Sequence, residues 1–205
     1  MVVSAALNVA LHLAGLVAAV RLIRPGTPLV SLEARRAYLV TQAPAWSAGW
    51  GVWMLCALAV VAFFAVLAHA EHGAPLAAPG VLLATAGASI DLLCDALQVT
   101  LLPSLAAGSD MDLFLAWERA LRAGGSVVAN GLYSLAVLLM TATRWRRASV
   151  RTTGLVTIAA GGCMLVGGLM SDLRLIEWST GPTILGFMLW TLAVTRVLLK
   201  PATPS

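Results

Sequence analysis

Residues 79–103 read PGVLLATAGASIDLLCDALQVTLLP. The stretch is long enough to cross a bilayer as one helix, which takes about 20 residues. Inside it, Asp91, Asp95 and Gln98 recur at i, i+4 and i+7, a spacing that puts all three on one helical stripe. Leu102 continues that stripe in one direction, and Gly87 and Ala84 continue it in the other. A charged side chain at mid-bilayer costs about 3 kcal/mol on insertion scales. The stripe must therefore face protein, a partner or a polar solute, and never lipid tails.

The rest of the chain shares the apolar character of this stretch. Of 205 residues, 60% are apolar and only 11% charged, and the mean hydropathy is +0.91. A soluble domain carries about 25% charged residues. Six hydrophobic segments stand out, at 3–23, 46–69, 79–102, 123–143, 154–171 and 180–199, with no alternating strand pattern between them. The fold expected is all-α, a polytopic bundle of six transmembrane helices forming one domain over 1–205, in contact with a lipid bilayer. The first segment is longer than the apolar core of a signal peptide and lacks a basic start, so it is read as a retained span. Gly181-Pro182 is read as the opening of the sixth, where proline is tolerated in a first turn. No basic, aromatic-interleaved surface points to nucleic acid.

Orientation is contested within the sequence. In a six-span chain one side holds Arg144, Arg146, Arg147, Arg151, Arg196 and Lys200. The other holds Arg21, Arg24, Arg35, Arg36, Arg119, Arg122 and Arg174. The short RWRRASVR loop at 144–151 weighs most, because the positive-inside rule is strongest for short loops. Both termini are then expected in the cytoplasm, and the Ala-, Arg- and Gly-rich composition fits a bacterial inner membrane.

Between the third and fourth segments, Ser109 or Asp110 is placed to cap a helix. In that helix Leu113, Trp117 and Leu121 oppose Asp112, Glu118 and Arg122. It is either a short surface helix or an amphipathic extension of span four. Glu118, Arg122, Ser126, Asn130 and Tyr133 or Ser134 then make a polar stripe on span four matching that of span three. Consecutive spans pack as a hairpin, so the two stripes are expected to meet, with Asp95 pairing to Arg122 or Arg119. Two readings remain open. The polar groups either glue the two spans by hydrogen bonds, each worth about 0.6–2 kcal/mol, or line a cavity for a small polar solute or proton. In the second reading Asp91 and Asp95 are the ionisable centre, Gln98 and Asn130 the orienting amides, Tyr133 a neighbour on the stripe, and Glu118, Arg119 and Arg122 the rim.

Other features have simpler expectations. Ala6, Ala10, Ala14 and Ala18 form a small-residue ladder suited to a neighbouring helix, a second copy or a partner subunit. Gly154, Gly161 and Gly168 are read as tight helix packing. Trp46, Trp50 and Trp53, with Trp178, are read as an interfacial aromatic belt. His12 is the one histidine inside a span, with His69 and His72 at the edge of the second, and it is read as a hydrogen-bonded core residue. Cys56, Cys94 and Cys163 all fall in spans without metal or redox spacing, as small buried groups. No metal, cofactor or catalytic residue is implied, and no nucleophile elbow, zincin motif or phosphate-binding glycine loop occurs.

Three resemblances follow from these residues. Gly87-x3-Asp91-x3-Asp95 resembles the second half of the CDP-alcohol phosphotransferase motif. That likeness implies a six-helix membrane enzyme with aspartates on a divalent metal, although the first half of the motif is missing before Gly87. The run LFLAWERALRAGGSVVANGLYSLAVLLMT from Leu113, with PTILGFMLWTLAV near the end, resembles uncharacterised bacterial six-helix membrane proteins, a likeness that implies a fold and no activity. The alanine ladder is similar to that in the first helix of vitamin-importer S-components, which are substrate-binding membrane proteins.

Overall fold

The computed structural model describes residues 1–71 and 73–199; the expectations for His72 and Lys200 lie outside these. Among the described residues there is no strand. The long helices are α1 (Val2–Ala18), α3 (Ala43–Ala70), α4 (Ala77–Thr100), α7 (Asn130–Ala142), α8 (Ala148–Leu169) and α9 (Leu173–Leu199). Shorter helices α2 (Leu32–Thr41), α5 (Leu102–Ala107) and α6 (Met111–Arg122) gather at one end. Six continuous segments are long and apolar enough to span a membrane, as expected.

Each long helix packs on the next in sequence, and α9 returns to α1. The result is a closed ring. Its closure is marked by the Asn8 side-chain amide donating to the Thr191 hydroxyl at 3.2 Å. Large apolar side chains such as Leu58, Leu82, Leu93 and Leu189 point outward, where lipid would meet them.

The glycine stripe of α8 does what its spacing indicates. Gly154 lies against Thr141, Gly161 against Ser134 and Gly168 against Val127, so a β-carbon at any of the three would collide with the preceding helix. The alanine ladder behaves otherwise. Ala6, Ala10 and Ala14 face outward and only Ala18 is buried, while α1 turns Ala5, Asn8, His12 and Gly15 into the ring. Cys56 and Cys94 are buried, but Cys163 lies on the outer surface, contrary to expectation.

Two boundaries differ from the sequence reading. Helix α9 starts at Leu173, so residues 173–180 are helix and Pro182 sits inside it, not at its opening. The reason lies upstream. Asp172 Oδ1 accepts from the backbone N–H of Arg174 and Leu175, a cap that starts the helix a turn and more before the proline. Ser171, at φ 56°, makes the sharp reversal out of α8, and Asp172 N–H closes it on the Gly167 carbonyl. The second difference is α6. Asp110 caps it through the Leu113 N–H at 2.9 Å, and it runs unbroken into span four, but the two faces read from its sequence do not sort as expected. Glu118, Phe114 and Leu121 are buried, while Leu113, Trp117 and Asp112 face out. The helix turns one acidic and two apolar side chains toward protein and leaves both kinds outside.

Between α6 and α7 the chain widens into a π-helical segment, Ala123–Ala129. In an α-helix a residue four positions on drifts by about 40° around the axis. The wider π turns offset that drift. Glu118, Arg122, Ser126, Asn130 and Ser134 thereby stay on one inward face. The Asn130 amide donates to the Gly125 carbonyl at 3.1 Å, five residues back.

Candidate functional site

The ring encloses a cavity of about 440 Å³, and all six long helices contribute to its wall. It opens at the end that carries α2, near Arg24, Leu29 and Glu177, and reaches inward to Val60, Val137 and Phe187. Beyond that floor the ring is filled by rings. Phe64 stacks on Trp190 at 5.6 Å and on Phe187 at 6.3 Å, and Phe63 meets Trp190 edge-on at 6.0 Å. The cavity is one-ended.

The acidic stripe of α4 turns into it. Asp91, Asp95, Gln98 and Leu102 all line the cavity. Asp91 Oδ2 accepts a hydrogen bond from the Tyr133 hydroxyl at 3.3 Å. Asp95 is 1% exposed, yet its Oδ2 has no hydrogen-bond partner among the described residues. Gln98 is 7% exposed and its Oε1 is also unpartnered. From span four, Glu118, Arg122, Asn130 and Tyr133 line the same space. Gly87 is spent on the helix crossing, since its absent side chain lets the Tyr133 ring and the Ala129 carbonyl close on α4.

Three placements correct the sequence reading. Arg119 is exposed and bonds the Leu115 carbonyl of its own helix at 3.2 Å, outside the cavity wall. Neither Asp91 nor Asp95 forms an ion pair with an arginine among the described residues. Instead Glu118 takes the guanidinium of Arg35, at 3.0 Å and buried on both sides. Third, Trp46, Trp50 and Trp53 are not a lipid-facing belt. They line the cavity, and Trp46 is 1% exposed with its indole N–H on the Gln98 carbonyl at 2.7 Å. Trp178, at 79% exposure, does face outward.

Arg35 belongs to α2, an element that nothing in the span pattern announces, although Ser31 caps it through the Ala34 N–H. Several bonds fix this helix at the end of the bundle where the cavity opens. Arg36 donates to the carbonyls of Ala106 and Gly108, at 3.0 and 2.6 Å. Tyr38 donates to the Leu22 carbonyl at 2.6 Å, and burial pushes its phenol upward, which keeps it protonated as a donor. His12 also reaches the cavity. Its Nδ1 donates to the Asn8 carbonyl at 2.8 Å, and its ring lies 5.3 Å from that of Phe187.

Seven buried side-chain atoms lack hydrogen-bond partners among the described residues, and five of them belong to residues of this cavity wall. They are Trp50 Nε1, Asp95 Oδ2, Gln98 Oε1, Glu118 Oε1 and Arg122 Nη1. A buried polar group without a partner costs about 1–3 kcal/mol, and five such atoms belong to the residues around this one cavity.

The chain matches no family model, no curated protein and no solved structure. By length and composition its six helices are those of an integral membrane protein. The donor set also tests the metal that the phosphotransferase motif would imply. No group of three or more His, Cys, Asp or Glu gathers among the described residues, and Asp91 already accepts from Tyr133. Two carboxylates from one helix do not make a divalent-metal site of that kind.

Proposed function

We propose that this membrane protein binds a small polar solute in the one-ended cavity, with Asp91 and Asp95 as its ionisable centre. The observation that carries the reading is that side chains of α3, α4 and α6 which line one cavity also hold five buried polar atoms without partners among the described residues. Helix glue accounts for less. Among the described residues only the Tyr133–Asp91 bond joins the polar stripes of spans three and four, while Asn130 bonds its own helix. Gln98 and Asn130 fit as orienting amides, Tyr133 as the group that positions Asp91, and Glu118 with Arg122 as the rim, Arg35 standing where Arg119 was expected. A cavity of a few hundred Å³ with mostly apolar walls and few polar groups is the usual form of a small-molecule site.

With the arginine-rich 144–147 turn on the cytoplasmic side of a bacterial inner membrane, the mouth opens on the opposite side. The protein then receives its solute from outside the cell. Passing a solute or proton onward requires the Phe63, Phe64, Phe187 and Trp190 rings to part, so binding is the primary act and transport a further step. Native mass spectrometry of the protein released from mild detergent tests this. A small-molecule adduct on the wild-type chain that is absent from a folded D91N/D95N variant is expected. Identical spectra for the two proteins would contradict it.

A second reading rests on the outward Ala6, Ala10 and Ala14. That smooth face suits a partner helix, which would make the chain an accessory subunit of a larger membrane complex. In the same spectra, a protein that stays bound through release would favour it.

A further inference from the structure

The charges and hydrogen-bond valences of the cavity wall narrow the class of solute, an inference that rests on the binding reading above. Four acidic residues line the cavity, Asp91, Asp95, Glu118 and Glu177, against two arginines, Arg24 and Arg122. Glu118 is matched by Arg35 from behind the wall at 3.0 Å. Arg24 stands 3.9 Å from Glu177 at the mouth. What remains is Asp91 and Asp95 against Arg122. The deeper carboxylate, Asp91, has a phenol for company and no cation. His12, the other basic side chain on the wall, already commits Nδ1 to a carbonyl.

The unpartnered atoms lean the same way. Three are acceptors (Asp95 Oδ2, Gln98 Oε1 and Glu118 Oε1) and two are donors (Trp50 Nε1 and Arg122 Nη1). Gln98 is independent of the acidic pair, is 7% exposed, and has a buried amide oxygen that accepts from no donor among the described residues. Around this level stand the indoles of Trp46 and Trp50, 5.5 Å apart, with Trp53 one turn deeper, 6.2 Å from His12. Such faces attract cations. The volume suits more than the simplest occupants. A water takes about 30 Å³, so a cavity of about 440 Å³ far exceeds one proton or bare ion. Its floor of Val60, Val137 and Phe187 asks for an apolar body.

We infer that the solute is a monocationic organic amine, its N–H groups donating to Asp95 and Gln98 with Asp91 behind them, and its apolar body lying among the tryptophans and the cavity floor. The amine would leave Arg122 and Trp50 to a second polar atom on the same molecule or to solvent.

The test uses the full chain in nanodiscs and three probes with one body and different heads: phenethylamine, phenethyl alcohol and hydrocinnamate. Binding is followed by tryptophan fluorescence and by calorimetry. The amine is expected to bind about tenfold or more tightly than the alcohol, with the carboxylate weakest. D91N/D95N, which preserves shape, is expected to erase the amine's advantage and leave the alcohol unchanged. Equal binding of all three heads would overturn the amine assignment while leaving a solute cavity standing. Tighter binding of hydrocinnamate would do the same and point to Arg122 as the anchor. Saturable binding of none of them would count against both the amine and the cavity itself.

Discussion

The two halves of the ring are built from the same six helices and solve opposite problems. Toward the turn at 142–148, the interior is closed by Phe63, Phe64, Phe187, Trp190, Met140 and Val137, with ring contacts of 5.6–6.3 Å. Trp190 Nε1 donates there to Thr141 at 2.9 Å, and among the described residues Asn8 Oδ1, beside Thr191, is the unpartnered exception. Toward α2, the interior holds two aspartates, an ion pair and five unpartnered polar atoms around an open volume. One half is packed to its limit and the other is kept incomplete. A chain selected for stability alone would fill both, and this contrast is the ground for proposing a binding site in the incomplete half.

Substitutions that break the contrast should rank by half. Trp190→Ala is expected to cost most, about 3–5 kcal/mol, because it opens a void in a close-packed aromatic cluster; reversible unfolding in mixed micelles measures it. Glu118→Ala should follow at about 2–3 kcal/mol, because it leaves the buried Arg35 guanidinium without its acceptor. Its signature is faster proteolysis across 27–42, and adding Arg35→Ala should recover part of the loss. Gly161→Val should cost about 1–3 kcal/mol by driving a side chain into Ser134, with partial rescue by Ser134→Gly. Asp95→Asn should fall within about 1 kcal/mol of wild type, because it removes a buried carboxylate that has no partner. A large loss there would mean that Asp95 holds the fold together, and the contrast between the halves would collapse.

Hydropathy alone reveals the six spans, since a run of some 20 apolar residues has few other uses. The inward stripe of Asp91, Asp95 and Gln98 was equally readable, because charge cannot face lipid and helical spacing then fixes one side. The stripe from Glu118 to Ser134 was readable in composition and depends on a π segment that no local pattern signals. Other features were hidden for physical reasons. Arg35 and Glu118 lie 83 residues apart, and no spacing rule links a loop helix to a span. Neighbouring arginines such as Arg119 and Arg122 differ only in which way a helix turns them. Tryptophans near a span's end satisfy a membrane interface and a cavity wall with the same spacing, so Trp46, Trp50 and Trp53 pointed to the wrong side of α3. Pro182 was misplaced because the Asp172 cap begins α9 earlier than the apolar run.

The division between the halves can be measured directly by placing single cysteines in a chain whose own three cysteines are replaced. Ser126→Cys sits in the cavity wall and Met140→Cys in the packed half. A membrane-impermeant thiol reagent is expected to label position 126 only from the side bearing α2, and position 140 from neither side. Labelling of both positions, or of 126 from the opposite side, would contradict a one-ended cavity behind an aromatic floor.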